Sequence, residues 1–153
     1  MMQIIDLITN HKKLDKYLFE VKDVDGDGNC YFRTLSLYFT QAQPYYEFFR
    51  EQIYNGAKEN LNDIKEFFIS DEKDELIGNN KIEGYVNKIK DNYFFAGNIE
   101  IYITTRIFNL NIAVYERSNT NEDFTQIALF TPGTSTKEYI FLYILKIIFI
   151  IIY

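Results

Sequence analysis

The sequence predicts an α+β or mixed α/β domain in which helices come first and strands last. Apolar residues recur at helical spacing up to about residue 108, whereas Ile, Val, Phe and Tyr gather into short runs after residue 110. Turn residues separate the segments, at Pro44, Gly78-Asn79-Asn80, Ala96-Gly97-Asn98 and Pro132-Gly133. With 153 residues, no internal repeat and no linker, the chain suits a single domain over residues 1–153. A composition 47% hydrophobic, rich in Phe and Tyr, supplies enough apolar surface for a core without disulfides or metal.

Taken in order, Ile4, Ile5, Leu7, Ile8, Leu14, Tyr17 and Leu18 place a helix over residues 3–19. A second helix begins near Cys30 and runs to about Thr40, ahead of Pro44. Residues 45–57 and 61–69 follow as helices, with Phe48, Phe49, Ile53, Ile64, Phe67 and Phe68 facing inward. Residues 70–73 carry a helix-start signal whose capping box is incomplete, because Lys73 stands where Glu would close it. The turn at residues 78–80 precedes a helix over 81–93, and the break at 96–98 precedes another over 99–108. Strands are expected over 110–116, where Ile112, Val114 and Tyr115 point to burial, and over 124–130 after a polar hairpin. Residues 139 onward supply one or two more. That last run, residues 139–153, holds Lys146 as its only charge. As a helix it would reach about 22 Å, short of the roughly 30 Å of a bilayer core, and its β-branched composition suits strands, so membrane association is not expected.

Charge excludes one class of partner. Twenty-two acidic residues against sixteen basic ones leave a net charge of −6 with no basic stripe, which argues against nucleic-acid binding. The first ten residues lack the basic leader, unbroken apolar core and cleavage site of a secretory signal. A single cysteine excludes an intrachain disulfide and any cysteine-based zinc cage, in keeping with a reducing, cytoplasmic setting.

That cysteine ends an acidic, glycine-rich loop, Asp23-Val24-Asp25-Gly26-Asp27-Gly28-Asn29-Cys30. Three readings of the loop are open. As half an EF-hand, Asp23, Asp25 and Asp27 would be the first ligands and Gly28 the turn, yet Thr34 stands where a bidentate Glu is needed. As a nucleophile loop, the glycines expose successive amides and a helix starting at Cys30 brings its positive end to the sulfur. Asp25 and Asp27 oppose thiolate formation, so activation would still require an imidazole. In the plainest reading, Cys30 is a small buried hydrophobe at a helix start.

The run Asp27-Gly28-Asn29-Cys30-Tyr31-Phe32-Arg33, preceded by Gly26, resembles the signature of the ovarian tumour (OTU) family of cysteine proteases, which remove ubiquitin from proteins. Two further segments are similar to that family: Ala96-Gly97-Asn98-Ile99-Glu100-Ile101-Tyr102, and Asn111-Ile112-Ala113-Val114-Tyr115, like its central strand. Together the likeness spans about residues 20–153. It implies an OTU-like fold, helices packed on a small central β-sheet formed mainly by the C-terminal half, with ubiquitin or a ubiquitinated protein as partner and neither cofactor nor metal. Cys30 would be the nucleophile that attacks the isopeptide carbonyl after the last glycine of ubiquitin, and Asp27 would shape the loop rather than act as a base. Backbone amides of Asp27, Gly28, Asn29 and Cys30 would form the oxyanion hole, each donor worth roughly 3 kcal/mol in the transition state. Asn98 and Glu100 would flank the substrate channel, or else cap a helix and line a solvated face.

The pattern breaks at the far end. The family's general-base histidine follows a strand of the type Ile140-Phe141-Leu142-Tyr143-Ile144, then an aromatic and Asn or Asp; here Ile148-Phe149-Ile150 occupies that place. His11, the only histidine, lies in the first predicted helix and reads as a surface residue. Loss of the base from a set that acts as a unit costs several orders of magnitude in rate. The resemblance therefore leaves two outcomes, a deubiquitinase of impaired activity or a catalytically inactive ubiquitin-binding module. The isoleucine-rich end, unlike the mixed sequence before it, also admits a C-terminus replaced by an alteration of the gene.

Overall fold

A computed structural model describes residues 13–14, 21–22, 24–68, 78–117, 124–145 and 148–152. Helix α1, Cys30–Thr40, is followed by α2, Tyr46–Glu59, and a short α3, Leu61–Lys65, that runs into a 3₁₀ turn at Glu66–Phe68. Then come α4, Gly78–Ile89, and α5, Asn98–Phe108. Chain reversal after α1 and α5 uses left-handed residues, Gln41 at φ 64° and Asn109 at φ 50°.

Six described strands form one sheet: β1, Lys13–Leu14; β2, Val21–Lys22; β3, Asn111–Arg117; β4, Phe124–Phe130; β5, Tyr139–Leu145; and β6, Ile148–Ile152, in the order β1-β4-β3-β5-β6-β2. β3 and β5 are parallel, with Ile112 opposite Ile140 and Val114 opposite Leu142. The remaining pairs are antiparallel, so the sheet is mixed. A bulge in the β3–β4 ladder leaves Ile127 as the extra residue of β4. Ile112, Val114, Ile140 and Leu142 are buried in one core with Phe32 and Leu35 of α1, Ile53 of α2 and Ile103 of α5. The expected architecture, helices on a small sheet drawn mainly from the C-terminal half, is what the chain adopts.

Several expectations about individual elements need correction. Lys13 and Leu14 pair with Thr125 and Phe124 as a strand, not as part of a helix over 3–19, whose other residues lie outside the described set. Gly78-Asn79-Asn80 is the first turn of α4 rather than a loop, and α4 stops at Ile89 instead of reaching Tyr93. Phe48 and Phe67 are exposed, at 54% and 39%, beside buried Phe49 and Ile64. The Phe68 side chain, the signal at 70–73 and most of the hairpin at 117–123 lie outside the described residues. The apolar C-terminus forms β5 and β6, and no helix among the described residues is long and apolar enough to cross a membrane.

Candidate active site

The loop before α1 is built from its own side chains. Asp27 accepts the Asn29 N–H at 3.0 Å and is gripped by Arg33, whose Nη2 lies 2.9 Å from Oδ2 and whose Nε donates at 3.1 and 3.2 Å. Arg33, one turn into α1, also stacks 4.2 Å above the Tyr46 ring. The Arg33 guanidinium above all, helped by the Asn29 amide, holds the Asp27 carboxyl below its ordinary 3.8 against the opposing effect of burial. With its oxygens committed in this way Asp27 is a poor calcium ligand, and Asp23 lies outside the described residues. Asp27 thus ties the loop to α1 through Arg33.

Cys30 is the first residue of α1 and is buried, with 1% of its surface exposed. Its sulfur sits at the positive end of an eleven-residue helix, an arrangement that favours a thiolate and a developing oxyanion. Of the four amides expected to form an oxyanion hole, three are already engaged within the loop. Asp27 N–H donates to Asp25 O, Asn29 N–H to the Asp27 carboxylate and Cys30 N–H to Asp27 O at 3.1 Å. The Gly28 N–H donates to no group among the described residues.

Gly28 also explains how this loop meets the turn before α5. A Cβ at Gly28 would fall 2.3 Å from the Tyr93 Cα and 2.4 Å from its carbonyl oxygen. Only glycine permits that approach. Tyr93 itself is left-handed, at φ 66°, and its N–H donates to Asn29 Oδ1 at 3.3 Å.

Glu100 caps a helix, one of the readings open to it. Its carboxylate accepts the Gly97 N–H at 2.7 Å, closing the start of α5, and the Tyr85 hydroxyl at 2.7 and 3.0 Å, and the residue is fully buried. Burial pushes its carboxyl above the ordinary 4.5, opposed by the Gly97 and Tyr85 hydrogen bonds. Glu100 is therefore an internal helix cap, buried rather than on a solvated face. Asn98, the first residue of α5, is exposed.

Ile148 and Ile150 belong to β6, where Ile148 pairs with Leu145 and Ile150 with Tyr143. β6 runs beside α1, so the strand that carries the expected base position lies along the cysteine helix. His11 lies outside the described residues.

Arg50 went unnoticed in the sequence. It is 4% exposed, and its Nη2 donates to Asn29 Oδ1 at 2.6 Å and Gly28 O at 3.1 Å. The signal was there: Arg50 stands between Phe49 and Ile53 on the apolar face of α2, where a cation needs a reason.

A buried thiol thus opens a helix behind a glycine loop, in a domain built on a mixed sheet. Residues 25–149 match the family of OTU-like cysteine proteases, and the chain belongs to that family. Solved structures share the fold. The OTU domain of OTUD1 superposes with a TM-score of 0.73 at 17% identity, covering 100% of this chain and 99% of that one. The viral OTU domain protease from Dera Ghazi Khan virus gives 0.72 at 17%, over 93% and 85% of the two chains. The Hazara virus OTU, solved bound to ubiquitin, gives 0.67 at 16%, over 92% and 85%. No curated protein matches the chain in sequence.

Proposed function

We propose that this chain is a deubiquitinase-type OTU domain that keeps the thiol and its loop but lacks the imidazole that would drive turnover. The observation that carries the reading is Cys30 at the head of α1 on a loop tied to the Tyr93 turn, within a family match that runs through Phe149. Ubiquitin as partner rests on relatives such as the Hazara virus protein. In the reaction, Cys30 Sγ adds to the isopeptide carbonyl that follows the last glycine of ubiquitin. The oxygen that gains charge would be met first by the Gly28 amide, which is not otherwise engaged among the described residues, with the Asn29 and Cys30 amides shared between the oxyanion and Asp27. Collapse expels the lysine amine and leaves an acyl-enzyme. Both the thiol proton and the amine proton need a carrier, and an aliphatic Ile148 at the base position offers none. Asn98 is free to touch the substrate tail, being exposed.

A second reading, a non-catalytic ubiquitin-binding module, is favoured by Ile148-Phe149-Ile150 itself and by the 1% exposure of Cys30. A ubiquitin probe with a C-terminal electrophile separates the two. The proposal expects slow labelling that vanishes in Cys30→Ala, with negligible turnover of diubiquitin; binding without labelling establishes the module. Ile148→His with Ile150→Asn is expected to raise turnover by roughly 10²–10⁴, the usual contribution of a general base. A folded double variant with no gain would show that the base position has been misplaced.

A further inference from the structure

Arg50 is buried with no carboxylate within ion-pair distance among the described residues, and carbonyls satisfy it instead. Nη1 donates to Ile89 O at 2.7 Å and Phe94 O at 3.2 Å; Nη2 donates to Asn29 Oδ1 at 2.6 Å and Gly28 O at 3.1 Å. The guanidinium plane lies 4.0 Å from the centre of the Phe32 ring. One side chain thus joins the cysteine loop, the last residue of α4 and the turn before α5. Lysine could not reproduce this, because a single ammonium lacks the planar fork that meets four acceptors at once.

We propose that Arg50 is a positioning residue that latches the Cys30 loop against the 89–94 segment and so sets how often Cys30 becomes accessible; the inference rests on Cys30 being the nucleophile. The bonds that shape the loop, from Asp27 to Arg33, Asn29 and Cys30, stay within the loop and α1 and do not tie it to the rest of the molecule. Among the described residues, the ties seen to cross to other elements include the two from Arg50, the Tyr93 N–H to Asn29, and the Asp25 N–H to Gln43 Oε1. Gly28 seats directly on the Tyr93 backbone, so the loop and the turn separate only if that latch yields. The latch is not fully satisfied. Arg50 Nε and Asn29 Nδ2 are buried donors without partners, and opening would admit water to both, which lowers the cost of opening relative to a sealed core. A nucleophile that is 1% exposed needs such an opening before any carbonyl can reach it.

The chain has one cysteine, so alkylation by iodoacetamide reports Cys30 alone. Rates are compared for wild type, Arg50→Lys, Asn29→Ala and the double variant, with wild type brought to the same global stability by urea so that whole-molecule unfolding cancels. Each single variant is expected to react roughly tenfold faster or more, about 1.4 kcal/mol in the opening equilibrium. The double variant should fall well short of the product of the two accelerations, because both singles remove the Arg50–Asn29 bond. Singles that react at the wild-type rate at matched stability, or a double variant showing the product of both accelerations, overturn the latch. Should Arg50→Lys not fold, Asn29→Ala alone carries the comparison, since it leaves the guanidinium in place. Accelerated alkylation with no ubiquitin-probe labelling would keep the latch and remove the nucleophile reading; labelling with unchanged alkylation would do the reverse.

Discussion

Gly28→Ala probes the contact on which the candidate site depends. The added methyl would lie 2.3 Å from the Tyr93 Cα, 2.4 Å from its oxygen and 2.6 Å from its carbonyl carbon, all of them backbone atoms. No rotamer change can relieve this, so either the loop or the turn must move. Overpacking of this kind costs about 1–3 kcal/mol. Displacing the turn also breaks the Tyr93 N–H bond to Asn29, worth about 1 kcal/mol, and strains the charged Arg50–Phe94 bond, worth about 1.5–3 kcal/mol. The expected loss is therefore about 4 kcal/mol, a large part of the total stability of a domain this size.

Urea unfolding followed by far-UV circular dichroism measures the loss, and native-state hydrogen exchange at the Tyr93 amide locates it. Gly84→Ala is the matched control. Gly84 is exposed in α4 with nothing within 4 Å of its missing Cβ, so alanine there should stabilise by about 1 kcal/mol through helix propensity. A Gly28→Ala protein within about 1 kcal/mol of wild type, with Tyr93 exchange unchanged, would refute the packing argument.

Gly56→Ala should cost about 1–2 kcal/mol in urea unfolding, because its methyl would meet Ile107 Cγ2 at 2.7 Å and Ile103 Cγ2 at 3.0 Å where α2 crosses α5, a clash only partly offset by helix propensity. Glu100 is held above its ordinary 4.5 by burial, so the native state binds that proton more tightly than the unfolded chain does, and its contribution to stability falls as pH rises from about 4.5 through the raised native value. Wild type should accordingly gain on Glu100→Gln as pH is lowered from 7.5 to 4.5 in paired urea titrations; a difference that grows in favour of wild type with rising pH would contradict this. Asp27 shifts the other way, so its contribution is present above its ordinary 3.8 and is lost as pH falls through the lowered native value; Asp27→Asn should flatten the acid limb of the stability profile.

Much of the fold was legible because local chemistry and tertiary packing agreed. The start of α1 at Cys30 and the limits of β4 follow directly from turn residues and apolar runs. Adjacent aromatic pairs were ambiguous. Residues one apart on a helix point about 100° from each other, so Phe48 and Phe49 need not share one environment, and periodicity alone does not say which of them faces the core. Lys13 and Leu14 fit a helical pattern locally but pair with β4, a contact over a hundred residues distant that no local window contains. In the site, the glycines and Asp27 could be read from the loop itself. The role of Glu100 could not, because a carboxylate near a helix start looks the same whether it caps inward or faces water. Arg50 was hidden for a related reason: its acceptors lie at residues 28, 29, 89 and 94, which only the fold brings together.

Folding and chemistry place separate demands on the two halves of the candidate site. Gly28 is required by the Tyr93 backbone, Asp27 by Arg33, and Asn29 by Arg50, while Tyr31 and Phe32 are buried at 1% and 0% exposure. Tyr31 also donates its hydroxyl to Thr104 at 2.7 Å. Replacing any of these residues would cost stability whether or not the protein turns over a substrate. At position 148 the backbone completes the β5–β6 ladder, and a β-branched residue suits a strand at least as well as histidine does. An OTU domain that loses its base therefore keeps its cysteine loop, since the fold alone holds that loop in place. The loop accordingly reports the fold, whereas an imidazole introduced at position 148 tests the chemistry.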